Sequence, residues 1–149
     1  MLRVSLFLSV FLSAVCTAEL VVSDATVRLL PPGVPNTSAY LTVKNTSSKD
    51  IILVSGKADF VKTAELHNHI MKGEVMRMEK QEQVVVPAGE TLVFQPGGLH
   101  MMLFGLNTSL KEGQTVKLSL VDKNDVETKF EAKVVMPGQE SNHAHHNHH

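Results

Sequence analysis

From Glu19 to Val135 the chain alternates apolar and polar residues in short runs, and turn-forming clusters interrupt it roughly every eight to twelve residues. Ala39, Leu41 and Val43 oppose Tyr40, Thr42 and Lys44; Val116, Leu118 and Leu120 oppose Lys117, Ser119 and Val121. A period of two is the signature of a strand with one face buried. The pattern predicts strands over residues 20–29, 39–45, 50–56, 63–69, 75–80, 83–86, 91–95, 100–104, 115–121 and 128–135. Between them lie Pro31-Pro32-Gly33, Asn45-Thr46-Ser47-Ser48, Lys72-Gly73-Glu74, Pro87-Ala88-Gly89, Pro96-Gly97-Gly98 and Lys123-Asn124-Asp125. No stretch carries a helical stripe. The expected class is all-β, an antiparallel Greek-key sandwich or barrel.

The two ends read differently. Residues 1–18 combine a basic Arg3, an apolar run from Val4 to Val15 and small residues at Cys16-Thr17-Ala18, the pattern of a cleaved signal peptide. The apolar run is short of the ~20 residues a membrane span needs, so no membrane span is expected in the mature form. Val15 stands where a small residue would precede a lipid-anchored cysteine, which favours cleavage after Ala18 over anchoring at Cys16. The mature domain then spans 19–135. Residues 136–149 read MPGQESNHAHHNHH, with nothing to bury, and are expected to form a disordered His-rich tail. Three Asn-x-Ser/Thr sites, at Asn36, Asn45 and Asn107, are placed in turns.

Composition narrows the chemistry. The 149 residues carry a formal net charge of −1, which gives no footing for a general nucleic-acid or acidic-membrane binder. The single Cys falls in the leader, so the mature chain has no disulfide, no redox pair and no thiolate metal cluster. Sulfur is present instead as methionine, seven in the full sequence and six after the leader, alongside eight histidines. Outside the tail only His67, His69 and His100 remain, with Met71, Met76, Met78, Met101 and Met102 close by in sequence. On strands, His67 shares a face with His69, Met76 with Met78 and His100 with Met102, while Met101 points the other way, into the core. Imidazole plus thioether is a soft to borderline donor set without fixed charge; it suits Cu(I) and suits zinc, calcium or magnesium poorly.

The spacing of His67, ten residues, Met78, twenty-one residues, His100, one residue, Met102 resembles the motif of the periplasmic copper chaperone PCu(A)C family. So do the flanking segments Ala64-Glu65-Leu66-His67, Val75-Met76-Arg77-Met78, Val86-Pro87-Ala88-Gly89 and Pro96-Gly97-Gly98-Leu99-His100-Met101-Met102-Leu103. The resemblance implies a cupredoxin-like Greek-key β-sandwich that binds Cu(I) at an exposed site through His67, Met78, His100 and Met102. It further implies a periplasmic, non-enzymatic carrier that delivers copper to the CuA centre of cytochrome c oxidase alongside a thioredoxin-like copper chaperone. Auxiliary metal candidates are His69 and the tail residues His143, His145, His146, His148 and His149, which are suited to Cu(II) capture. Glu65 is a candidate acceptor for the His67 ring. Met71 and Met76 are read as core or loop residues, with a transient thioether role as the alternative. A copper-buffering or resistance protein, or a metal-free Ig-like interaction module with the methionines in its core, are the rival readings.

Overall fold

The computed structural model describes residues 19–140; the leader at 1–18 and the histidines of the tail lie outside the described residues. Ten strands form: β1 (Leu20–Arg28), β2 (Asn36–Asn45), β3 (Ile51–Lys57), β4 (Val61–Lys72), β5 (Val75–Lys80), β6 (Val84–Val86), β7 (Thr91–Phe94), β8 (His100–Leu106), β9 (Thr115–Asp122) and β10 (Glu127–Val135). Each covers one of the stretches expected from the alternation. Among the described residues there is no helix, hence none long and apolar enough to cross a membrane.

Hydrogen bonding follows the order β5-β4-β8-β2-β1-β10-β9-β3-β6, with β7 on β2. A bridge between Gly56 and Ala64 joins β3 to β4 and closes the path into a flattened barrel, so its inner strands have few open edges. One pairing departs from the antiparallel expectation: β1 and β10 run parallel, with Val27 opposite Val134. Parallel neighbours need a long connection between them, and here almost the whole domain supplies it.

The core is the inward face of the barrel strands, including Val27, Leu41, Val43, Leu53, Leu66, Met101, Leu103, Leu120 and Val134, with nothing from β5. Met101 is fully buried. A Cβ at Gly56 would stand 2.8 Å from the Met101 sulfur, so the missing side chain at 56 is what makes room for it. Asn45, expected in a turn, ends β2 fully buried; its amide donates to the carbonyls of Lys49 and Val86 and so ties the β2–β3 connection down.

The tail boundary also moves. Residues 136–140 turn back onto the domain instead of leaving it at Val135, and Glu140 is buried in an ion pair with Arg28. Its one large apolar residue, Met136, is exposed, so the segment gives no hydrophobic signal; a charge pair holds it.

Candidate metal centre

The long strand β4 runs beyond the barrel wall. Its first half pairs with β8 and its second half with β5, and His67 sits at the junction, opposite His100 on one side and Lys80 on the other. The β4–β5 connection is a two-residue turn, Gly73-Glu74, between the paired Lys72 and Val75. Gly73 has φ +64°, the left-handed conformation that hairpin turns of this length require. That register puts Met78 opposite His69. On β8, Met102 lies opposite Glu65 and, on its other side, opposite Ser38 of β2. Three adjacent strands therefore carry His67, His69, Met78, His100 and Met102 on the outer face, while Leu66 and Met101 face inward as a pair.

The ring orientations follow from hydrogen bonds. His100 Nδ1 lies 2.9 Å from the Gly98 carbonyl, to which it donates, so its lone pair is on Nε2. That Nε2 is 3.1 Å from the Met78 sulfur. Two lone-pair donors facing each other at this distance suit a shared soft cation. His67 Nε2 lies 2.8 Å from a Glu65 carboxylate oxygen and donates to it. Its Nδ1 is buried and has no hydrogen-bond partner among the described residues. An orphaned buried acceptor costs free energy unless something occupies it, and a metal ion is one such occupant. The Ser38 hydroxyl is 3.6 Å from the Met102 sulfur.

Burial and charge favour a neutral imidazole at His100. His67 and His100 are both buried, so the imidazoles are covered where the resemblance implied an exposed site; Met78, 46% exposed, is the open side. Burial pushes the His100 imidazole below its ordinary value; His69, His67 and Arg28 push the same way against the Gly98 carbonyl. A neutral ring keeps its lone pair for a metal. Glu65 is held below the usual carboxylate range, chiefly by the His67 hydrogen bond.

His69 is nearer the centre than its auxiliary status suggested: its ring centroid is 5.2 Å from that of His100, against 6.0 Å for His67. Met71 and Met76 are not core residues; both are exposed on the β4–β5 hairpin. Around the rings stand Phe104, 5.7 Å from His67, and Tyr40, 6.5 Å from His100. Tyr40 carries the Arg28 guanidinium over its face at 5.2 Å. Neither aromatic residue stood out in the sequence, because on their strands they read as ordinary alternating positions. Among the described residues no group of three or more His, Cys, Asp or Glu is gathered to hold a metal. The soft-donor approach on this face is that of the His100 nitrogen to the Met78 sulfur, while the Met102 sulfur sits beside the Ser38 hydroxyl.

This closed β-sandwich, with imidazoles and thioethers on one outer face, has the fold of PCuAC domains. A solved structure described as "Copper-bound PCuAC domain from PmoF2" matches with a TM-score of 0.68 at 18% identity, over 80% of this chain and 95% of that one. The solution structure of apo-DR1885 from Deinococcus radiodurans matches at 0.61 and 27% identity, over 95% and 98% of the two chains. The CuI-DR1885 structure from the same organism matches at 0.63 and 30%, over 83% and 81%. The profile of the family described as "Putative lipoprotein LpqE-like" covers residues 20–134, and the chain belongs to that LpqE-like family. A curated relative, "Putative lipoprotein Lxx21020" of Leifsonia xyli subsp. xyli, is 36% identical over 100 residues, which is 66% of this chain. The match spans 59% of that relative's length.

Proposed function

We propose that the protein is an exported copper carrier that binds one Cu(I) through His67, Met78, His100 and Met102 and passes it to a partner. The observation that carries this reading is the paired orientation of His100 and Met78: the ring is fixed by the Gly98 carbonyl so that its lone pair meets the thioether sulfur at 3.1 Å. The buried, unpartnered Nδ1 of His67 supports it. So does the 30% identity to a protein whose structure was solved with CuI. Neutral donors hold a monovalent soft ion without a compensating buried charge, so ligands can leave one at a time and strand nothing in the interior. That suits transfer better than catalysis.

Following the resemblance to the PCu(A)C family, the recipient in this reading is the CuA centre of cytochrome c oxidase, with a thioredoxin-like copper chaperone as co-worker. The place of action is the periplasm, reached through the leader at 1–18. The lipoprotein descriptions of the family and of the curated relative are in keeping with export. The histidines at 143, 145, 146, 148 and 149 serve in this reading as a Cu(II) trap.

The test is an anaerobic Cu(I) titration against a competing chelator. The wild-type chain is expected to take one Cu(I) with sulfur in its X-ray absorption shell. Met78→Ala with Met102→Ala is expected to weaken binding by more than the roughly 10–100-fold that loss of an outer-shell partner costs, with the β fold kept. A Cu(I) shell without sulfur overturns the assignment.

A further inference from the structure

The β4–β5 hairpin sorts its side chains by chemistry. On one face stand His69 and Met71 of β4 with Met78 and Met76 of β5, paired as His69–Met78 and Met71–Met76. On the other stand Asn68, Ile70 and Lys72 with Glu79, Arg77 and Val75, where Lys72 and Glu79 form an ion pair at 2.5 Å. The soft donors share the face of the metal centre because alternate residues of a strand share a face.

Met71 and Met76 are 59% and 58% exposed, so packing does not account for them. Scattered exposed hydrophobic residues are common. Two thioethers directly opposite one another are a different case: their Cβ atoms lie within about 5.5 Å in a direct cross-strand pair. Methionine's unbranched, flexible chain then lets both sulfurs reach one ion. One register step inward come His69 and Met78, and next His67 and His100. A graded row of soft donors thus leads from solvent to the buried imidazoles.

We propose that Met71 and Met76 form an outer Cu(I) site at the hairpin tip, through which the ion enters and leaves the inner centre. The inference rests on the inner centre being a Cu(I) site. Each step is ligand exchange: a bond from copper to a thioether sulfur forms as one to an inner nitrogen or sulfur breaks, and copper stays Cu(I) throughout. The outer pair, with two neutral donors in water, holds the ion more weakly than the inner set and acts as a step on the path.

The test compares the full chain with its Met71→Leu/Met76→Leu variant, in which apolar bulk is kept and the donors are lost. Equilibrium Cu(I) affinity is read by chelator competition, and the rate of Cu(I) release to an excess of a chromophoric Cu(I) chelator by stopped flow. Affinity is expected to stay within about twofold, while release slows about tenfold, equivalent to ~1.4 kcal/mol in barrier. Unchanged release with unchanged affinity overturns the outer site and leaves the inner one standing. A large loss of affinity also overturns it, because the two residues would then be ligands of the resting centre. A wild-type chain that takes no Cu(I) overturns the inner site and this proposal with it.

Discussion

Met101 and Met102 are neighbours in the chain and opposites in environment. Met101 is fully buried, paired with Leu66 across β4 and fitted over Gly56. Met102 lies on the outer face, beside a serine hydroxyl and opposite Glu65. The same contrast runs along β4, where Ala64 and Leu66 face the core while Glu65, His67 and His69 face out. The inner face holds the barrel together by apolar burial that needs no particular donor atom. The outer face spends its positions on lone pairs and leaves one of them, His67 Nδ1, without a partner. Apolar burial on the inner side contributes cohesion that does not depend on the outer lone pairs, so the outer side can carry an unpartnered imidazole nitrogen.

The widest separation of the two faces should come from truncating the inner methionine. Met101→Ala is expected to cost about 2–5 kcal/mol, as for other large-to-small changes at fully buried sites. Urea denaturation reads that loss, and the folded molecules should keep the Cu(I) stoichiometry of the parent. A loss of copper in molecules that remain folded would show that the two faces are not independent.

Much of this contrast was legible in the alternation alone. The ten strands and the inward turn of Met101 follow from period two, and the resemblance rests on the spacing of His67, Met78, His100 and Met102. What escaped lies where no periodicity speaks. Met71 and Met76 read as core or loop residues because methionine usually fills gaps, and the extension of β4 and β5 past the barrel wall leaves them exposed on a hairpin. The return of residues 136–140 depends on one ion pair across 112 positions of sequence, which composition cannot reveal. The parallel β1–β10 pairing is likewise a product of closure, not of either strand's pattern.

A smaller effect, confined to the outer face, is expected at Glu65. Its carboxylate accepts from His67 Nε2 and so fixes which nitrogen of the ring keeps the lone pair. Because that bond holds the carboxyl below the usual range, Glu65 stays ionised at neutral pH. Glu65→Ala should weaken Cu(I) by roughly 10–100-fold, the scale seen for partners that orient a ligating histidine. Glu65→Gln keeps an acceptor and should lose less. Nitrogen NMR of the His67 ring provides the second readout: the tautomer should become mixed in the alanine variant and stay single in the glutamine variant. Equal losses in both would mean that charge, and not ring orientation, is what Glu65 contributes.

The smallest effect tests whether the C-terminal turn belongs to the folded unit at all. Burial alone would raise the Glu140 carboxyl; the Arg28 guanidinium and the backbone amides of Glu140 and Gly138 outweigh it and hold the group below its ordinary value. A carboxyl depressed in the folded state stabilises that state above its unfolded value of about 4.3, and the contribution fades as pH falls through the lower folded value. Glu140→Gln removes the charge and leaves a weaker hydrogen bond to Arg28. Because residues 136–140 lie beyond the last strand and add nothing to the sheet, the cost at neutral pH should be small, about 1 kcal/mol. The two proteins should converge in stability in acid, once the parent's Glu140 is protonated. Hydrogen exchange at the Gly138 amide, which donates to the Glu140 carboxylate at 2.7 Å, should quicken in the variant at neutral pH. A stability gap that stays constant from neutral pH into acid would mean the charge pair with Arg28 is not what holds the turn against the domain.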